Sequence, residues 1–457
     1  MPSKQKIVYV CNECGAESPK WLGRCPQCGE WNTMQEETVS VDKSSAVSRM
    51  AQAALLHDVR AVPLTSVEVK DTRRSSTANG ELDRVLGGGI VPGALILIGG
   101  EPGIGKSTLV LQMALTLPSR VLYVSGEESV GQIKVRADRL CPGGGDNCMV
   151  VSDTMIDRLA QHIDDTHPEI VVVDSIQTVQ TERIDSLPGS ISQIKECTAV
   201  LMHLAKSRNL PIILIGHINK DGQLAGPKVL EHMVDVVLQF EGDRNHLYRI
   251  LRGIKNRFGS TNEIGIFEMM GCGLREVVNP SEMLLSAYAG GLSGISVAAA
   301  IEGLRPFLIE TQALVSTAAY GTPQRSAMGF DVRRLNMLLA VLEKRAGFKI
   351  ASKDVFLNLA GGIKVQDTAL DLPIAAAIIS SGTDIAIQQG VCLAGEVGLS
   401  GELRPVSRVE QRISEAAKLG FRRIIIPEQS RFAVSDKLTI QIERAAQLSD
   451  AFRLLFA

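Results

Sequence analysis

The sequence predicts a multidomain α/β protein, in which a small cysteine-rich module precedes a parallel sheet and a separate α+β domain follows it. Between about residues 60 and 280, short β-branched runs alternate with helical segments: ALILIGG, RVLYVSG, EIVVVDS and LPIILIGH. This alternation is typical of a parallel sheet covered by helices. The length of 457 residues fits about two to four domains, at roughly 100 to 200 residues each.

Composition excludes several classes of protein. Hydrophobic residues make up 45% of the chain and charged residues 21%, so neither a disordered nor a fibrous protein is expected. Lys and Arg number 48 against 50 Asp and Glu, a net charge of -2, so a nucleic-acid site has to be local. The start, MPSKQKIVYV, lacks the apolar stretch of a signal peptide, and no run approaches the length of a membrane span. We therefore expect a cytoplasmic location and no membrane contact.

Two pairs of cysteines predict a metal site in a module of residues 1–35. Cys11, Cys14, Cys25 and Cys28 form two Cys-x-x-Cys knuckles, each followed by Gly. Four thiolates suit one tetrahedral Zn²⁺ and leave no coordination position for water, so the site is expected to be structural. Two redox pairs, or unrelated free thiols, are the alternative for the same residues.

The two tryptophans of the chain flank the second knuckle. Trp21 and Trp31 either stack on a base or a partner, or form the mini-core of the module, and the sequence leaves both possibilities open. The polar stretch MQEETVSVDKSSAVSRM then predicts a linker over residues 36–60.

A glycine-rich loop predicts a nucleotide site in a domain of residues 61–280. The stretch LILIGGEPGIGKSTLVLQMAL fits the G-x-x-x-x-G-K-[ST] pattern between a strand and a helix, which is the context that the pattern requires. In such a loop the amides face the phosphates of ATP, Lys106 reaches the β and γ oxygens, and the Ser107 hydroxyl ligates Mg²⁺. The predicted nucleotide-binding residues are Gly100, Glu101, Pro102, Gly103, Ile104, Gly105, Lys106, Ser107 and, as second choice for the metal, Thr108.

Two further strand ends predict the acidic part of this site. EIVVVDSIQ places Asp174 at the carboxyl edge of the sheet, where its carboxylate can hold the Mg²⁺ shell from the far side. Glu127 and Glu128 follow the strand VLYVSG, where one of them can polarise the water that attacks the γ-phosphate. The sequence does not distinguish the two, and exposed loop carboxylates are the alternative.

The order of these motifs resembles the RecA-like ATPase core, and the whole chain resembles the bacterial RadA/Sms family. The resemblance rests on the four-Cys module, LGGGIVPGALILIGGEPGIGKSTL, GIKNRFGST and a C-terminal region similar to the proteolytic domain of Lon. It implies that Lys255 and Arg257 of the KNRFG signature reach the phosphates bound by a neighbouring subunit, like an arginine finger supplied in trans. It also implies that His217 and Lys220 couple nucleotide state to DNA, with Asn219 where Thr is expected.

The resemblance further implies a homo-hexameric, DNA-dependent ATPase, similar to DnaB-type helicases, that moves on single-stranded DNA. Its expected task is recombinational DNA repair, in which it promotes branch migration of branched DNA together with RecA. Loops around TERIDSLPGS and INKDGQLAGPK would line the DNA path, with Lys220 and Lys228 at the phosphates. Plain surface loops are the alternative at these positions.

For the C-terminal domain, residues 285–457, the resemblance to Lon implies a scaffold without protease activity. Leu370 falls where a Lon-like domain has its serine nucleophile, and Glu410 falls where it has its lysine base. Hydrolysis has no chemistry without that pair. The scaffold would serve ring assembly and DNA contact. Four basic residues are either a DNA-facing surface or an ordinary solvated helix face: Arg333, Arg334, Lys344 and Arg345.

Two other functions remain open at the level of sequence. One is an ATP-dependent protease like Lon, which cleavage of casein or a peptide would reveal. The other is a non-motor scaffold, in which ATP only fixes the ring and the zinc module recruits partners. A lack of strand displacement on forked DNA would favour the scaffold.

Overall fold

A computed structural model describes most of the chain. The described residues are 5–11, 16–40, 63, 74–184, 186–217, 229–242, 248–285, 291–318, 322–362, 364–432 and 439–456. Cys14, Asn219, Lys220 and Lys228, with residues 41–60 of the predicted linker, lie outside them. The described residues belong to two compact units: the first takes those within Met1–Glu241, Ile250–Thr261 and Met269–Glu276, and the second takes the others.

The strands and helices follow one another along the chain within three regions. The N-terminal module has β1 (Gln5–Cys11), β2 (Glu17–Ser18) and β3 (Met34–Ser40). The next strands are β4 (Leu95–Gly100), β5 (Val121–Ser125), β6 (Cys148–Ser152), β7 (Ile170–Asp174), β8 (Ile212–His217), β9 (Val236–Glu241), β10 (Tyr248–Asn256), β11 (Ile264–Met270) and β12 (Gly273–Glu276). The helices of this region are α1 (Gly80–Leu86), α2 (Lys106–Thr116), α3 (Val130–Leu140), α4 (Leu159–Thr166), α5 (Ile191–Arg208) and α6 (Val229–Met233).

The C-terminal domain completes the fold. Its strands are β13 (Ile295–Glu302), β14 (Arg305–Thr317), β15 (Arg325–Met328), β16 (Lys353–Leu359), β17 (Val391–Leu393), β18 (Glu396–Val397), β19 (Leu403–Arg404), β20 (Arg423–Pro427) and β21 (Gln441–Ala445). Its helices are α7 (Pro280–Leu284), α8 (Val332–Ala346), α9 (Asp371–Thr383), α10 (Val409–Lys418) and α11 (Leu448–Phe456).

The N-terminal module is a three-stranded antiparallel sheet in the order β2-β1-β3. All seven residues of β3 pair with β1, from Met34 opposite Cys11 to Ser40 opposite Gln5. The sheet therefore runs past the boundary predicted at residue 35. The polar sequence of β3 concealed this pairing, because the apolar partner lies some 30 residues earlier in the chain.

The large sheet has the order β12-β11-β10-β9-β4-β8-β7-β5-β6. The six strands from β9 to β6 are parallel, and β10 runs antiparallel to β9. All residues of β4, β5 and β7 are buried, as expected for parallel strands covered on both faces. The register places Gly100 beside His217 and Ser125 beside Asp174. The loops that follow these strands therefore meet at one edge of the sheet.

The C-terminal domain is built on a seven-stranded mixed sheet in the order β15-β16-β14-β13-β17-β20-β21. Helix α9 is buried from Asp371 to Ser380 and forms the centre of the domain. Its sequence, DLPIAAAIISSGT, is apolar on all sides, which is typical of a helix without a solvent face.

The predicted fold class is confirmed. The runs read as parallel strands form β4, β5, β7 and β8, and VRRLNMLLAVLEKRA forms α8. Among the described residues, no helix is long and apolar enough to cross a membrane.

Candidate nucleotide site and zinc module

The glycine-rich loop joins β4 to α2 and packs tightly at two glycines. Gly105 is the N-cap residue of α2 and has a φ of 116°, and a Cβ there would lie 2.9 Å from Cε of Met269. At Gly100 a Cβ would lie 2.9 Å from Cβ of Phe240. Neither position accepts a larger residue without displacement of its neighbours. The pattern glycines are thus required by the packing of the loop.

Lys106 is almost completely buried, and its ammonium group has defined partners. Its Nζ donates to the carbonyl oxygens of Gly100 at 2.7 Å and of Glu101 at 2.9 Å. Burial lowers the pKa of Lys106 to about 8, although the nearby carboxylates, above all Asp174, act in the opposite direction. The charge of Lys106 therefore depends on the groups around it.

His217, the last residue of β8, connects Lys106 to Glu127. Nζ of Lys106 lies 3.2 Å from Nδ1 of His217. Because an ammonium group is only a donor, Nδ1 accepts and the ring proton is on Nε2, which lies 3.5 Å from Oε1 of Glu127. The same Glu127 oxygen accepts from Oγ of Ser175 at 2.7 Å. Glu127 therefore belongs to one continuous cluster with the lysine of the glycine-rich loop.

Glu128 has a different partner from its neighbour. Its Oε1 lies 3.1 Å from Nη1 of Arg136, a residue of α3, and its backbone amide donates to Oγ of Ser125. The structure thus separates the two glutamates that the sequence left equivalent. The difference between the two glutamates is due to Arg136, which lies eight residues after Glu128 on the next helix.

Asp174 lies at the end of β7, and β8 separates this strand from β4. It is 8% exposed, and its Oδ2 accepts a hydrogen bond of 2.5 Å from the hydroxyl of Tyr123. Nη2 of Arg136 is 3.9 Å from the same oxygen. The hydroxyl of Ser107 and this carboxylate are the hard oxygen donors that Mg²⁺ prefers, so the residues present fit that ion.

The KNRFG motif makes contacts within its own subunit. Nζ of Lys255 donates to the carbonyl oxygens of Glu231 at 2.6 Å and Val234 at 2.8 Å, at the end of α6. Burial, and then the charge of Arg257, lower the pKa of Lys255. Its ammonium group thus satisfies carbonyls that the end of a helix leaves open.

Arg257 shares a buried carboxylate with a second cation. Its Nη1 lies 3.3 Å from Oδ1 of Asp235, and Nζ of Lys206 lies 2.5 Å from Oδ2 of the same residue. Asp235 is only 4% exposed, whereas the side chain of Arg257 is 55% exposed. The partners of Lys255 and Arg257 described here lie outside the glycine-rich loop.

The first loop predicted to meet DNA is anchored at its base. The buried amide of Gln193 donates to the carbonyl oxygens of Thr181, Ile184 and Ser186. Arg183 is paired with Asp157 at 3.1 Å, and Leu187 is 80% exposed. This exposed side chain of the loop is thus apolar. The predicted DNA-contacting lysines, Lys220 and Lys228, belong to the other loop.

The cysteine module has the geometry of a zinc site. The Sγ atoms of Cys11, Cys25 and Cys28 all lie within 4.8 Å of one another, and those of Cys11 and Cys28 are 3.7 Å apart. A tetrahedral Zn²⁺ with Zn–S bonds of about 2.3 Å separates its sulfur ligands by about 3.8 Å. Sγ of Cys11 also lies 3.2 Å from Oγ1 of Thr33, a contact that suits a group around the ligands. Gly29 follows the second knuckle with a φ of 78°, which favours glycine.

The two tryptophans do not form the core of this module. That core consists of Cys11, Cys25 and Met34, with Tyr9 and Ala16 packed against it. Trp21 is 56% exposed and Trp31 is 68% exposed, and Arg24 lies over the ring of Trp31. Of the two alternatives, the structure therefore excludes the mini-core.

Comparisons with known proteins match these parts of the chain. Family models match a rubredoxin metal binding domain over residues 9–36, an AAA domain over 62–223 and subunit ChlI of Mg-chelatase over 316–430. The DNA repair protein RadA of Bacillus subtilis (strain 168) is 50% identical over 460 residues, covering 99% of each chain. That of Halalkalibacterium halodurans is 48% identical over 455 residues, again covering 99% of each chain. The chain belongs to the RadA family of DNA repair proteins.

Membership of the RadA family confirms the resemblance seen in the sequence. The protein has a RecA-like ATPase domain, a zinc-ribbon module that fits Zn²⁺, and a Lon-like C-terminal domain. Among solved structures, the RadB recombinase is 24% identical with a TM-score of 0.36, covering 44% of this chain and 99% of its own, a similarity too low for a structural conclusion.

In the C-terminal domain of this RadA-family protein, the positions aligned with the Lon dyad have no hydrolytic chemistry. Leu370 is completely buried at the start of α9, and Glu410 lies on the exposed side of α10. The neighbouring buried groups are ion pairs. Nη1 of Arg412 lies 2.5 Å from Oδ2 of Asp367 and also donates to the carbonyl oxygen of Ala299. This pair joins α10 to β13 and to the turn before α9, so the buried groups near the aligned positions do not form a serine–lysine dyad, which argues against the protease alternative.

The basic residues of α8 divide into two kinds. Arg334 makes two hydrogen bonds to the fully buried carboxylate of Asp371, at 2.6 and 2.5 Å. Burial raises the pKa of Asp371, and the Arg334 guanidinium opposes this effect. Arg334 thus binds a buried group of the domain core, whereas three other basic residues of α8 are exposed: Arg333, Lys344 and Arg345.

Proposed function

We propose that this protein is a DNA-dependent ATPase motor that assembles as a homo-hexamer, moves on single-stranded DNA and promotes branch migration together with RecA. Membership of a family of DNA repair proteins supports the repair role. The cluster of Lys106, His217 and Glu127 supports the coupling of ATP to movement.

The contact between His217 and Lys106 carries this proposal. Residues 218–228, which follow His217 directly, contain one of the two loops predicted to meet DNA. When Lys106 turns to the phosphates of ATP, it leaves Nδ1 of His217, and the end of β8 loses a partner. The state of the nucleotide is thereby communicated to the segment next to the DNA.

The roles of the remaining residues follow from their contacts. Ser107 and Asp174 would hold Mg²⁺, which neutralises charge on the phosphates. Glu127 accepts a proton from the attacking water and orients it, because its carboxylate is part of the cluster with Lys106. Arg136 keeps Glu128 away from this role.

We assign different roles to the two cations of the KNRFG motif. Arg257 is the group that reaches the neighbouring subunit, because its side chain is half exposed and Lys206 already neutralises Asp235. Lys255 is a positioning residue, because its ammonium group holds carbonyls at the end of α6.

The first experiment measures ATP hydrolysis with and without single-stranded DNA in the wild type, Arg257→Ala, Lys255→Ala and, as an inactive control, Lys106→Ala. DNA should stimulate the wild type. Arg257→Ala should lose about 10³-fold or more while it still binds ATP, as expected for an arginine finger. No effect of DNA on the wild type would leave only the ATP-gated scaffold.

A mixing experiment tests the contact in trans. Arg257→Ala and Glu127→Gln are each expected to be inactive alone. In mixed rings, a Glu127→Gln subunit supplies Arg257 to the intact Glu127 of its neighbour, so activity should return. If mixing restores nothing although mixed oligomers form, Arg257 does not act in trans. Strand displacement on a forked DNA at saturating ATP then separates a motor from a scaffold.

A further inference from the structure

The hydroxyl of Tyr123 lies at the acidic side of the nucleotide site, in a position that the sequence motifs do not mark. Tyr123 is completely buried in the middle of β5, and its register partner on β7 is Val172. Asp174 lies two residues further along β7, so both side chains are on the same face of the sheet. The tyrosine spans this diagonal, and its hydroxyl lies 2.5 Å from Oδ2 of Asp174.

The hydroxyl is the donor in this hydrogen bond. The phenol of Tyr123 supplies the O–H of this pair. The carboxylate oxygen Oδ2 accepts it. A carboxylate held at one oxygen has a fixed plane, and its other oxygen, Oδ1, then has a fixed direction.

Arg136 supports this arrangement from α3. Its Nη2 lies 3.4 Å from the Tyr123 hydroxyl and 3.9 Å from Oδ2 of Asp174, while Nη1 binds Glu128. Nε of Arg136 is buried and has no hydrogen-bond partner among the described residues. One N–H of the guanidinium thus lacks a partner in the arrangement that places Arg136 next to both Asp174 and Tyr123.

We propose that Tyr123, supported by Arg136, is a positioning residue that presents Oδ1 of Asp174 to the Mg²⁺ that accompanies ATP. This inference rests on the proposed role of Asp174 in holding the metal. It assigns to Oδ2 a purely structural partner and to Oδ1 the contact with the metal or its water. The tyrosine itself touches neither the nucleotide nor the metal.

The test uses the full-length protein and a fluorescent ADP, whose affinity is measured without metal and over a Mg²⁺ titration. Tyr123→Phe keeps the ring and removes only the hydroxyl. We expect unchanged affinity for metal-free ADP, and at least about a fivefold rise in the Mg²⁺ concentration that half-saturates the gain in affinity, because a hydrogen bond to a charged group is lost. Arg136→Gln should also raise this half-saturating Mg²⁺ concentration.

Tyr9→Phe is the matched control, since it also removes a hydroxyl bonded to a carboxylate, that of Glu36 at 3.1 Å in the zinc module. Its Mg²⁺ titration should equal that of the wild type. A lower unfolding temperature of Tyr123→Phe with an unchanged Mg²⁺ titration would mean that the hydroxyl only satisfies a buried polar group, and would overturn the proposal.

Asp174→Asn separates this inference from the function on which it rests. If Asp174→Asn leaves the Mg²⁺ dependence of binding unchanged, the role of Asp174 fails and the role of Tyr123 fails with it. If Asp174→Asn changes it and both Tyr123→Phe and Arg136→Gln do not, only the positioning role is overturned.

Discussion

Lys106 combines burial with a charge that the phosphates of ATP require. The pKa of Lys106 is about 8 in the conformation in which its ammonium group contacts the carbonyls of Gly100 and Glu101 and the ring of His217. A bound phosphate favours the charged form and raises the pKa again. At a pH above about 8, nucleotide binding is therefore expected to be coupled to the uptake of a proton by Lys106.

The affinity for ADP should depend on pH in one direction only. Below about pH 8 the lysine is charged with or without nucleotide, so its contribution to binding is constant. Above that pH the free protein loses the proton that the complex keeps, so affinity should fall by up to about tenfold per pH unit. Lys106→Arg, whose charge persists, should lose this dependence. Equal wild-type affinities at about pH 7 and about pH 9.5 would contradict the linkage.

The two adjacent glutamates should differ sharply in their contribution to hydrolysis. Glu127→Gln removes the proposed base and should lower kcat by about 10² to 10⁴ without loss of ATP binding. Glu128→Gln removes only the partner of Arg136 and should stay within a few-fold of the wild type. Steady-state hydrolysis and nucleotide binding of both variants check this. The reverse order of activities would assign the base to Glu128.

Single elements show how far local sequence determines the structure. Aliphatic runs such as LILIGG and IVVVD are strands because both faces are covered, and this signal is local. The partners of Lys255 lie 21 and 24 residues away, that of Arg257 lies 22 residues away, and that of Glu128 lies eight residues away on α3. Ion pairs of this kind depend on tertiary structure, so the motifs predict candidate residues but not what those residues contact.

The start of α9 depends on a buried ion pair that sequence patterns do not reveal. Arg412 is 1% exposed, and it binds Asp367 and the carbonyl of Ala299. Arg412→Met leaves the carboxylate buried without its cation and should cost about 3–5 kcal/mol of the free energy of unfolding. Arg404→Met removes an exposed pair with Glu402 and should change nothing measurable. Chemical denaturation of both variants compares them, and similar midpoints would refute this role.

At the scale of the whole molecule, we expect the N-terminal module to depend on its metal, because its buried core cluster contains only Cys11, Cys25 and Met34 among the described residues. We expect one zinc ion per chain by metal analysis. Cys25→Ser should release it and make residues 9–36 sensitive to protease, while fluorescent ADP still binds. Cys272→Ser, at an exposed thiol outside the module, should retain the zinc. Full zinc content in Cys25→Ser would contradict the assignment of the ligands.

Asp235 has two cations where one would balance its charge. In a ring whose subunits exchange contacts at each cycle, a side chain that leaves a buried partner normally leaves an uncompensated charge behind. Lys206 would remove that penalty for Arg257, since its own ion pair with Asp235 does not depend on the arginine. If Arg257 reaches a neighbouring subunit as proposed, Asp235 would keep one counter-ion in both positions of the arginine, and nucleotide binding would need little energy to favour one position over the other.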